Sequence, residues 1–145
     1  MSLDALDIIE IHQLLSFYGH LVDAKAWDRF ELFLPGCEMD YTLVNAPRVF
    51  HSRDEIAEWF SGVNHPSAHH VVNIVVHEDP HGVVRVKSKF FVPFTRPSHA
   101  PLGWYGGDYD DVVERTPDGW RFAYRRCSAR WRLAEGVAPD GRATF

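Results

Sequence analysis

The stretch His69-His70-Val71-Val72-Asn73-Ile74-Val75-Val76-His77 decides how the rest of the chain is interpreted. Its run of β-branched residues predicts a buried strand. Alternation with a period of two places His69 and Asn73 on the same face of that strand. An imidazole and an amide buried there cost free energy unless each finds a hydrogen-bond partner. They therefore either hold a polar core together or line a cavity, and we predict a cavity.

The first residues of the chain predict one long amphipathic helix, from about Asp4 to Ala26. Its apolar residues recur at helical spacing: Ile8, Ile11, Leu15, Tyr18 and Val22. Tyr18 belongs to this stripe, so its hydroxyl must find a partner in the core. Asp23 lies near the end of the helix, where the negative pole of the helix dipole should raise the pKa of its carboxyl. An exposed aspartate at a helix end is the ordinary alternative.

Two further helices and a first strand are predicted before residue 69. Residues 27–34 favour a short second helix with inward aromatic residues, ended by a Pro-Gly pair. Alternating residues 39–43 predict a strand that lays Tyr41 on its apolar face. Residues 52–55 form a capping-box pattern. The inward residues of the third helix follow it at helical spacing: Ile56, Trp59, Phe60 and Val63.

From residue 69 onward the sequence predicts antiparallel strands. Glu78 to Gly82 is a turn sequence that joins the organising strand to a second strand over residues 83–94. Two more long strands are predicted within residues 103–131, joined by a Thr-Pro-Asp-Gly turn. Residues 95–102 contain two prolines and predict a loop long enough to act as a lid. Helices followed by antiparallel strands indicate the α+β class.

The last strand carries several arginines whose placement depends on the alternation. A strict period of two places Phe122, Arg126 and Arg130 on one face, and Arg125 with Cys127 on the other. On its face Arg130 could bind a substrate carboxylate. An exposed arginine at the sheet edge is the alternative.

Composition limits the class of protein. The 145 residues suit a single domain over residues 4–133, followed by an irregular tail at 134–145. The net charge of -5, with scattered basic residues, gives no field that would attract a nucleic acid. No apolar run is long enough to span a membrane, and the acidic N-terminus is unlike a signal peptide, so a cytoplasmic location is expected. The nine histidines form no compact metal motif, so no metal is expected, and the two cysteines are interpreted as small buried hydrophobes.

Several motifs, taken together, resemble a known family. They are Tyr18 with Asp23, His69 with Asn73, Gly107-Asp108-Tyr109-Asp110, and Asp118-Gly119-Trp120-Arg121-Phe122. In this order they resemble the SnoaL-like branch of the NTF2-like cone fold, over nearly the whole chain. The resemblance implies an α+β cone, in which N-terminal helices pack in a strongly curved antiparallel or mixed β-sheet. The outer face of such a sheet is available to further copies, so a homodimer or trimer is expected.

Within that family the chain is most similar to the scytalone dehydratase and bile-acid 7α-dehydratase branch. The resemblance implies that His69 is a catalytic histidine held by Asp23. Tyr18 matches a tyrosine of the bile-acid enzyme, and Tyr41 matches a substrate-polarising tyrosine of the scytalone enzyme.

The sequence departs from that pattern in three places. The basic Lys87 and Lys89 occupy the strand where the bile-acid enzyme has an acidic residue. Phe94 falls near the second catalytic histidine of the scytalone enzyme, and Tyr109 falls near its substrate-binding asparagine. These departures indicate a different substrate.

The predicted function is acid/base chemistry without a cofactor on a small apolar cyclic carbonyl compound, such as an aromatic, polyketide or steroid-like molecule. The reaction would be that of a lyase or isomerase, as in dehydratases and polyketide cyclases. The expected catalytic residues are His69, Asp23, Tyr18 and Tyr41. The residues expected to bind substrate are Asn73, Phe94, Tyr109, Asp108, Arg130 and Trp59.

Alternatives stay open for the site and for the function. Five residues along an ideal helix turn through about 140°, so Tyr18 and Asp23 share a face only if the helix end bends. Asp108 could take the place of Asp23 beside His69. The fold also hosts non-catalytic modules for small-ligand binding or assembly, and small subunits of ring-hydroxylating dioxygenases.

Overall fold

The structure, a computed structural model, describes residues 3–44, 46–63, 65, 68–95 and 101–134, with backbone alone at 94–95, 101–102 and 133–134. Two helices and five strands lie in this part of the chain. They are α1 (Ala5–Asp23), β1 (Phe33–Asp40), α2 (Arg53–Gly62), β2 (His70–Glu78), β3 (Val84–Thr95), β4 (Pro101–Thr116) and β5 (Gly119–Ala134), with a 3-10 turn at Thr42–Val44. The α+β class predicted from the sequence is confirmed.

The five strands form one mixed, curved sheet in the order β1-β5-β4-β3-β2. β1 pairs with β5 in parallel, and the other pairs are antiparallel. The core lies between the helices and the sheet face turned toward them. Cys37 and Cys127 are free thiols buried in it, as expected. Neither described helix is long and apolar enough to cross a membrane.

Helix α1 begins with a reciprocal cap. The Asp4 carboxylate accepts a hydrogen bond from the Asp7 backbone N–H at 2.9 Å, and the Asp7 carboxylate accepts one from the Asp4 backbone N–H at 3.0 Å. This arrangement satisfies two N–H groups that the helix itself leaves unpaired. The buried stripe continues to Tyr18 and Val22, as the periodicity predicts. The helix ends at Asp23, three residues earlier than expected.

The predicted second helix is wrong. Residues 24–32 form turns and irregular backbone, and β1 begins at Phe33. The Pro-Gly pair expected to end a helix instead lies inside β1, where its pairing with β5 is irregular. Pairing with a neighbouring strand therefore outweighs a weak local helix pattern. The aromatic residues still face inward, and the Phe30 and Phe33 rings stack with centroids 5.5 Å apart.

The first strand is displaced from its predicted position. β1 ends at Asp40, so Tyr41 lies just after the strand and not within it. Tyr41 is nevertheless buried, with its ring against those of Trp59, Phe60 and Tyr109.

Helix α2 begins where the capping pattern predicts. The Ser52 hydroxyl accepts a hydrogen bond from the Glu55 backbone N–H at 3.2 Å. The Glu55 carboxylate accepts a bond from the His51 backbone N–H, so the reciprocal half of the box involves the preceding residue. The helix buries Ile56 and Phe60, whereas Val63, expected to face inward, is exposed at the helix end.

Strand β2 contains a bulge at Asn73. Val72 pairs with Lys89 and Val75 pairs with Lys87, so Asn73 and Ile74 together oppose a single residue of β3. Asn73 has a φ of 53°, in the left-handed region that asparagine tolerates better than most residues. The extra residue reverses the alternation, and Asn73 is exposed. The expectation that His69 and Asn73 share one face is therefore wrong.

Strand β5 contains a second bulge, which also reverses a predicted pattern. Val112 pairs with Tyr124 and Val113 pairs with Phe122, so Ala123 is the extra residue. Phe122 faces the core on one side of the bulge, and Arg125 faces the core on the other. The strict period of two predicted opposite faces for these two residues.

The left-handed backbone conformation at the β2 bulge can be tested by substituting Asn73. Asn73→Val forces a β-branched residue into the left-handed region and should lower the free energy of unfolding by about 1–2 kcal/mol. Asn73→Gly, which adopts this conformation freely, should match wild type or exceed its stability. His77→Val, at an exposed position of the same strand, is the control and should change stability by less than about 0.5 kcal/mol. Urea unfolding of the three variants measures these values, and a fully stable Asn73→Val would contradict the bulge.

Candidate active site

A carboxylate at the end of α1 holds a histidine, His69, that directly precedes β2. The Asp23 Oδ1 atom lies 2.6 Å from His69 Nδ1. The backbone N–H of His69 also donates to both Asp23 oxygens, at 3.1 and 3.0 Å. Gly19, one turn earlier in α1, faces the same histidine, and a Cβ there would lie at an ordinary contact distance of 3.4 Å from His69 Cβ. Asp23, and not Asp108, is therefore the acidic partner of His69.

The hydrogen bonds from His69 decide the charge of Asp23. Burial of the carboxyl acts to raise its pKa, but the side-chain and backbone hydrogen bonds of His69 outweigh burial, and the pKa lies below its usual value. The expectation that the helix dipole would raise this pKa is wrong, because these direct contacts dominate. The ionised Asp23 carboxylate accepts a hydrogen bond from the protonated Nδ1 of His69. Nε2 of His69 is then the nitrogen without a proton, which can act as a base.

Two buried tyrosines form the second part of the site. Their hydroxyl oxygens, on Tyr18 and Tyr41, lie 2.7 Å apart in a hydrogen bond. Burial raises the pKa of both phenols, so each keeps its proton at neutral pH. One of these protons forms the bond between the two oxygens, and the other is left to donate to a ligand. The Tyr18 ring meets the His69 ring edge-on, with centroids 6.2 Å apart. Tyr18 and Asp23 therefore both reach His69, despite lying five residues apart in α1.

Tyr109 and Trp59 join this cluster. Tyr109 stacks with Tyr41 at 6.4 Å between centroids and with Phe90 at 4.5 Å. Burial raises the pKa of Tyr109 well above its usual value. The ring of Trp59 lies edge-on to Tyr41, at 6.2 Å. Phe94 lies in β3 opposite Gly103, and its side chain is outside the described residues.

The remaining sequence-predicted residues lie elsewhere. Asp108 forms ion pairs with Lys89 and with Arg130, whose Nε lies 2.6 Å from Asp108 Oδ2. Asn73, Asp108 and Arg130 line a hollow of about 330 Å³ on the sheet face turned away from the helices. The structure thus does not bring Asn73, Asp108 or Arg130 together with His69. The bulge explains Asn73, and the cross-strand partners Lys89 and Arg130 keep Asp108 on the outer face.

The Asp23 side of the pair opens to the surface. A hollow of about 410 Å³ is lined by residues of α1 and of the start of β2, including Ser16, Gly19, Asp23 and His69. The side chain of Asp23 is 27% exposed, whereas that of His69 is 4% exposed. The histidine ring therefore lies behind the carboxylate, on the core side of the helix. The Nε2 atom makes no hydrogen bond to any residue that the structure describes.

A buried ion pair lies beside the tyrosines and was not predicted from the sequence. Arg125 donates from Nε and Nη2 to the two oxygens of Asp111, at 2.7 and 2.8 Å. The guanidinium carbon lies 4.1 Å from the Tyr18 ring centroid and 4.2 Å from those of Tyr109 and Phe122. Burial acts to lower the pKa of Arg125, but the pair with Asp111 outweighs it and fixes the positive charge. This charge stabilises any negative charge that forms near the phenols.

His65 was missed as well. It lies in the connection between α2 and β2, where the sequence has no periodicity, and its ring centroid is 6.4 Å from that of His69. Within the described ranges, no group of three or more histidine, cysteine or acidic side chains is arranged to hold a metal ion.

Comparisons with known proteins identify the family and the fold. The sequence profile of the SnoaL-like domain family matches residues 4–126. No curated protein sequence matches the chain. A crystal structure of a candidate scytalone dehydratase from Novosphingobium aromaticivorans DSM 12444 is 23% identical and has a TM-score of 0.75, with 96% of each chain covered.

Two further structures have the same fold. ActVI-ORFA from Streptomyces coelicolor is 15% identical, with a TM-score of 0.71 over 84% of this chain and 96% of its own. An NTF2-like protein with a cystatin-like fold from Novosphingobium aromaticivorans is 20% identical, with a TM-score of 0.66 over 93% of this chain and 86% of its own. From the profile match and this shared architecture, the chain belongs to the SnoaL-like family and has the NTF2-like, cystatin-like fold.

Proposed function

We propose that this protein is a cofactor-independent dehydratase that removes water from a small apolar cyclic β-hydroxy ketone. One observation carries the proposal: an Asp23-held His69 lies beside two hydrogen-bonded, buried phenols, Tyr18 and Tyr41. A fixed imidazole beside proton donors is the arrangement that moving a proton next to a carbonyl requires.

The reaction begins at the carbon next to the substrate carbonyl. His69 Nε2 takes a proton from that carbon, and the electron pair of the broken C–H bond moves onto the carbonyl oxygen as an enolate. The Tyr18–Tyr41 pair donates a hydrogen bond to this oxygen, and the buried Arg125 charge stabilises it. Asp23 keeps Nδ1 protonated and stabilises the imidazolium that forms.

The second step expels water. The enolate re-forms the carbonyl, a C=C bond forms, and the C–O bond to the hydroxyl group breaks. The departing oxygen takes the proton that His69 Nε2 carries, so water leaves and the neutral imidazole is restored. Every atom is accounted for by the substrate, and no oxidant or reductant is needed.

The comparisons support the family and the fold in which such a reaction is proposed. A fold neighbour bears the name of a candidate scytalone dehydratase, and the family profile covers the residues of the proposed site. An isomerase or cyclase would share the first proton transfer, so the same site could serve these reactions with other substrates. Elimination follows where the substrate carries a hydroxyl group next to the activated carbon.

A pair of bicyclic ketones tests the proposal. The β-hydroxy derivative of tetralone should lose water and yield naphthol, which is followed by its absorbance. Tetralone itself has no leaving group, and in D2O the enzyme should exchange its α-protons, as seen by NMR. Lys87→Ala is the matched control, since this side chain lies on the outer face, is 73% exposed and should not affect either rate. Rates no greater than those of buffer for both compounds would rule the proposal out.

A further inference from the structure

His65 is enclosed by aromatic rings beside the proposed catalytic histidine. Its ring centroid lies 4.2 Å from that of Phe60, 5.3 Å from Trp27 and 6.3 Å from Trp59. The His69 ring follows at 6.4 Å. His65 is thus a polar group in an otherwise apolar wall.

Both ring nitrogens of His65 are buried, and neither makes a hydrogen bond within the described part of the chain. Leaving a buried donor or acceptor without a partner is costly, and native proteins rarely do so without a functional reason. A leucine or phenylalanine would pack against Phe60 and Trp27 without that cost. The imidazole therefore costs stability unless a ligand completes its hydrogen bonds.

The environment keeps His65 neutral. Burial is the main cause that lowers its pKa to about 4, assisted by His69 and Lys25, while the charge of Asp23 opposes the shift. A neutral imidazole carries one N–H donor and one acceptor nitrogen. A hydroxyl, which can both donate and accept, can bond either of these nitrogens, although one hydroxyl reaches only one of them.

His65 and Tyr18 both contact His69. The ring centroid of His69 lies 6.2 Å from that of Tyr18 and 6.4 Å from that of His65. In a β-hydroxy ketone, the carbon that loses a proton lies between the carbonyl carbon and the carbon that bears the hydroxyl. With that carbon at His69 and the carbonyl oxygen at the Tyr18–Tyr41 pair, the hydroxyl is left for His65.

We propose that His65 binds the hydroxyl group that leaves the substrate, as a second recognition point beside His69. This inference rests on the proposed elimination reaction. His65 transfers no proton: it donates its N–H to the hydroxyl oxygen, while His69 carries the proton that water takes away. The substrate class is thereby narrowed to ketones with a hydroxyl on the β-carbon, in preference to simple cyclic ketones.

The test compares two reactions of His65→Leu with those of wild type. Elimination from β-hydroxy-tetralone should lose about tenfold in kcat/KM, the size of one lost hydrogen bond. Exchange of the tetralone α-protons should stay within about twofold, because tetralone has no hydroxyl for His65 to bind. His65→Gln, which keeps a donor and an acceptor, should recover part of the lost elimination rate.

Three readouts separate the outcomes. The melting temperature of His65→Leu should equal or exceed that of wild type, since an apolar side chain replaces an unpaired imidazole. Equal losses in both reactions, or no loss in elimination, would overturn the role of His65.

If wild type catalyses neither reaction, the dehydratase proposal fails, and ligand binding decides the role of His65. Fluorescence of Trp27 and Trp59, which flank His65, then reports the affinities of the two ketones. A preference for the hydroxylated ketone that disappears in His65→Leu supports hydroxyl binding. Equal affinities for the two ketones contradict it.

Discussion

His69→Gln is expected to lower the rate of elimination by about 10²–10⁴-fold, the range that a positioned general base contributes. Glutamine is similar in size and can still donate a hydrogen bond to Asp23, but it cannot carry a proton between carbon and oxygen. The backbone N–H of residue 69 should keep its bonds to the Asp23 carboxylate, so the local fold is preserved. Both naphthol formation and α-proton exchange should fall together, because both begin with the same proton transfer.

A second variant separates positioning from proton transfer. Asp23→Asn keeps the shape of the partner but offers an N–H as well as an acceptor, so it no longer fixes the proton on Nδ1. We expect a smaller rate loss than in His69→Gln, together with a displaced pH–rate profile that a merely structural defect would not produce. Lys87→Ala again serves as the control. Retention of more than about half of the wild-type rate by His69→Gln would contradict the assignment of His69 as the base.

The sequence predicted the elements that follow a single periodicity. Helix α1 and helix α2 have regular apolar spacing and capping residues, and the β2–β3 hairpin has a turn sequence, so all three are found close to their predicted places. The segment of residues 27–34 was wrong because its weak helix pattern competes with pairing to β5. Local patterns contain no information about a partner strand about ninety residues away.

The sequence predicted the site residues that belong to a recognisable motif. It did not predict the site residue whose position depends on strand register. Asp23 and His69 were found because their motif resembles a family, although their contact spans 46 positions in the chain. Arg125 was missed because Thr116 pairs with Gly119, and an uninterrupted hairpin would then place Tyr124, not Arg125, opposite Asp111. The single extra residue at Ala123 changes that pairing, and no turn sequence or periodicity marks it.

The buried pair of Arg125 and Asp111 should be the most sensitive point of the fold. Both side chains are fully buried, and two hydrogen bonds join them. These bonds offset part of the cost of removing both charges from water, although Nη1 of Arg125 has no partner among the described residues. Asp111→Asn leaves the Arg125 charge without a counter-charge in the core. It should lower the free energy of unfolding by about 3–5 kcal/mol, the cost of breaking such a pair from one side. Urea unfolding with far-UV circular dichroism measures this loss.

A double replacement distinguishes the effect of the unpaired charge from the effect of lost side-chain packing. In Arg125→Met with Asp111→Leu no charge is left in the core, so stability should recover to within about 2 kcal/mol of wild type, although each single change costs more. The phenols would then lose the neighbouring positive charge, so elimination should stay impaired while the fold is restored. Equal stability of Asp111→Asn and wild type would contradict the cost assigned to the unpaired charge. A double variant with full elimination activity would remove Arg125 from the mechanism, and would leave Tyr18 and Tyr41 to stabilise the enolate alone.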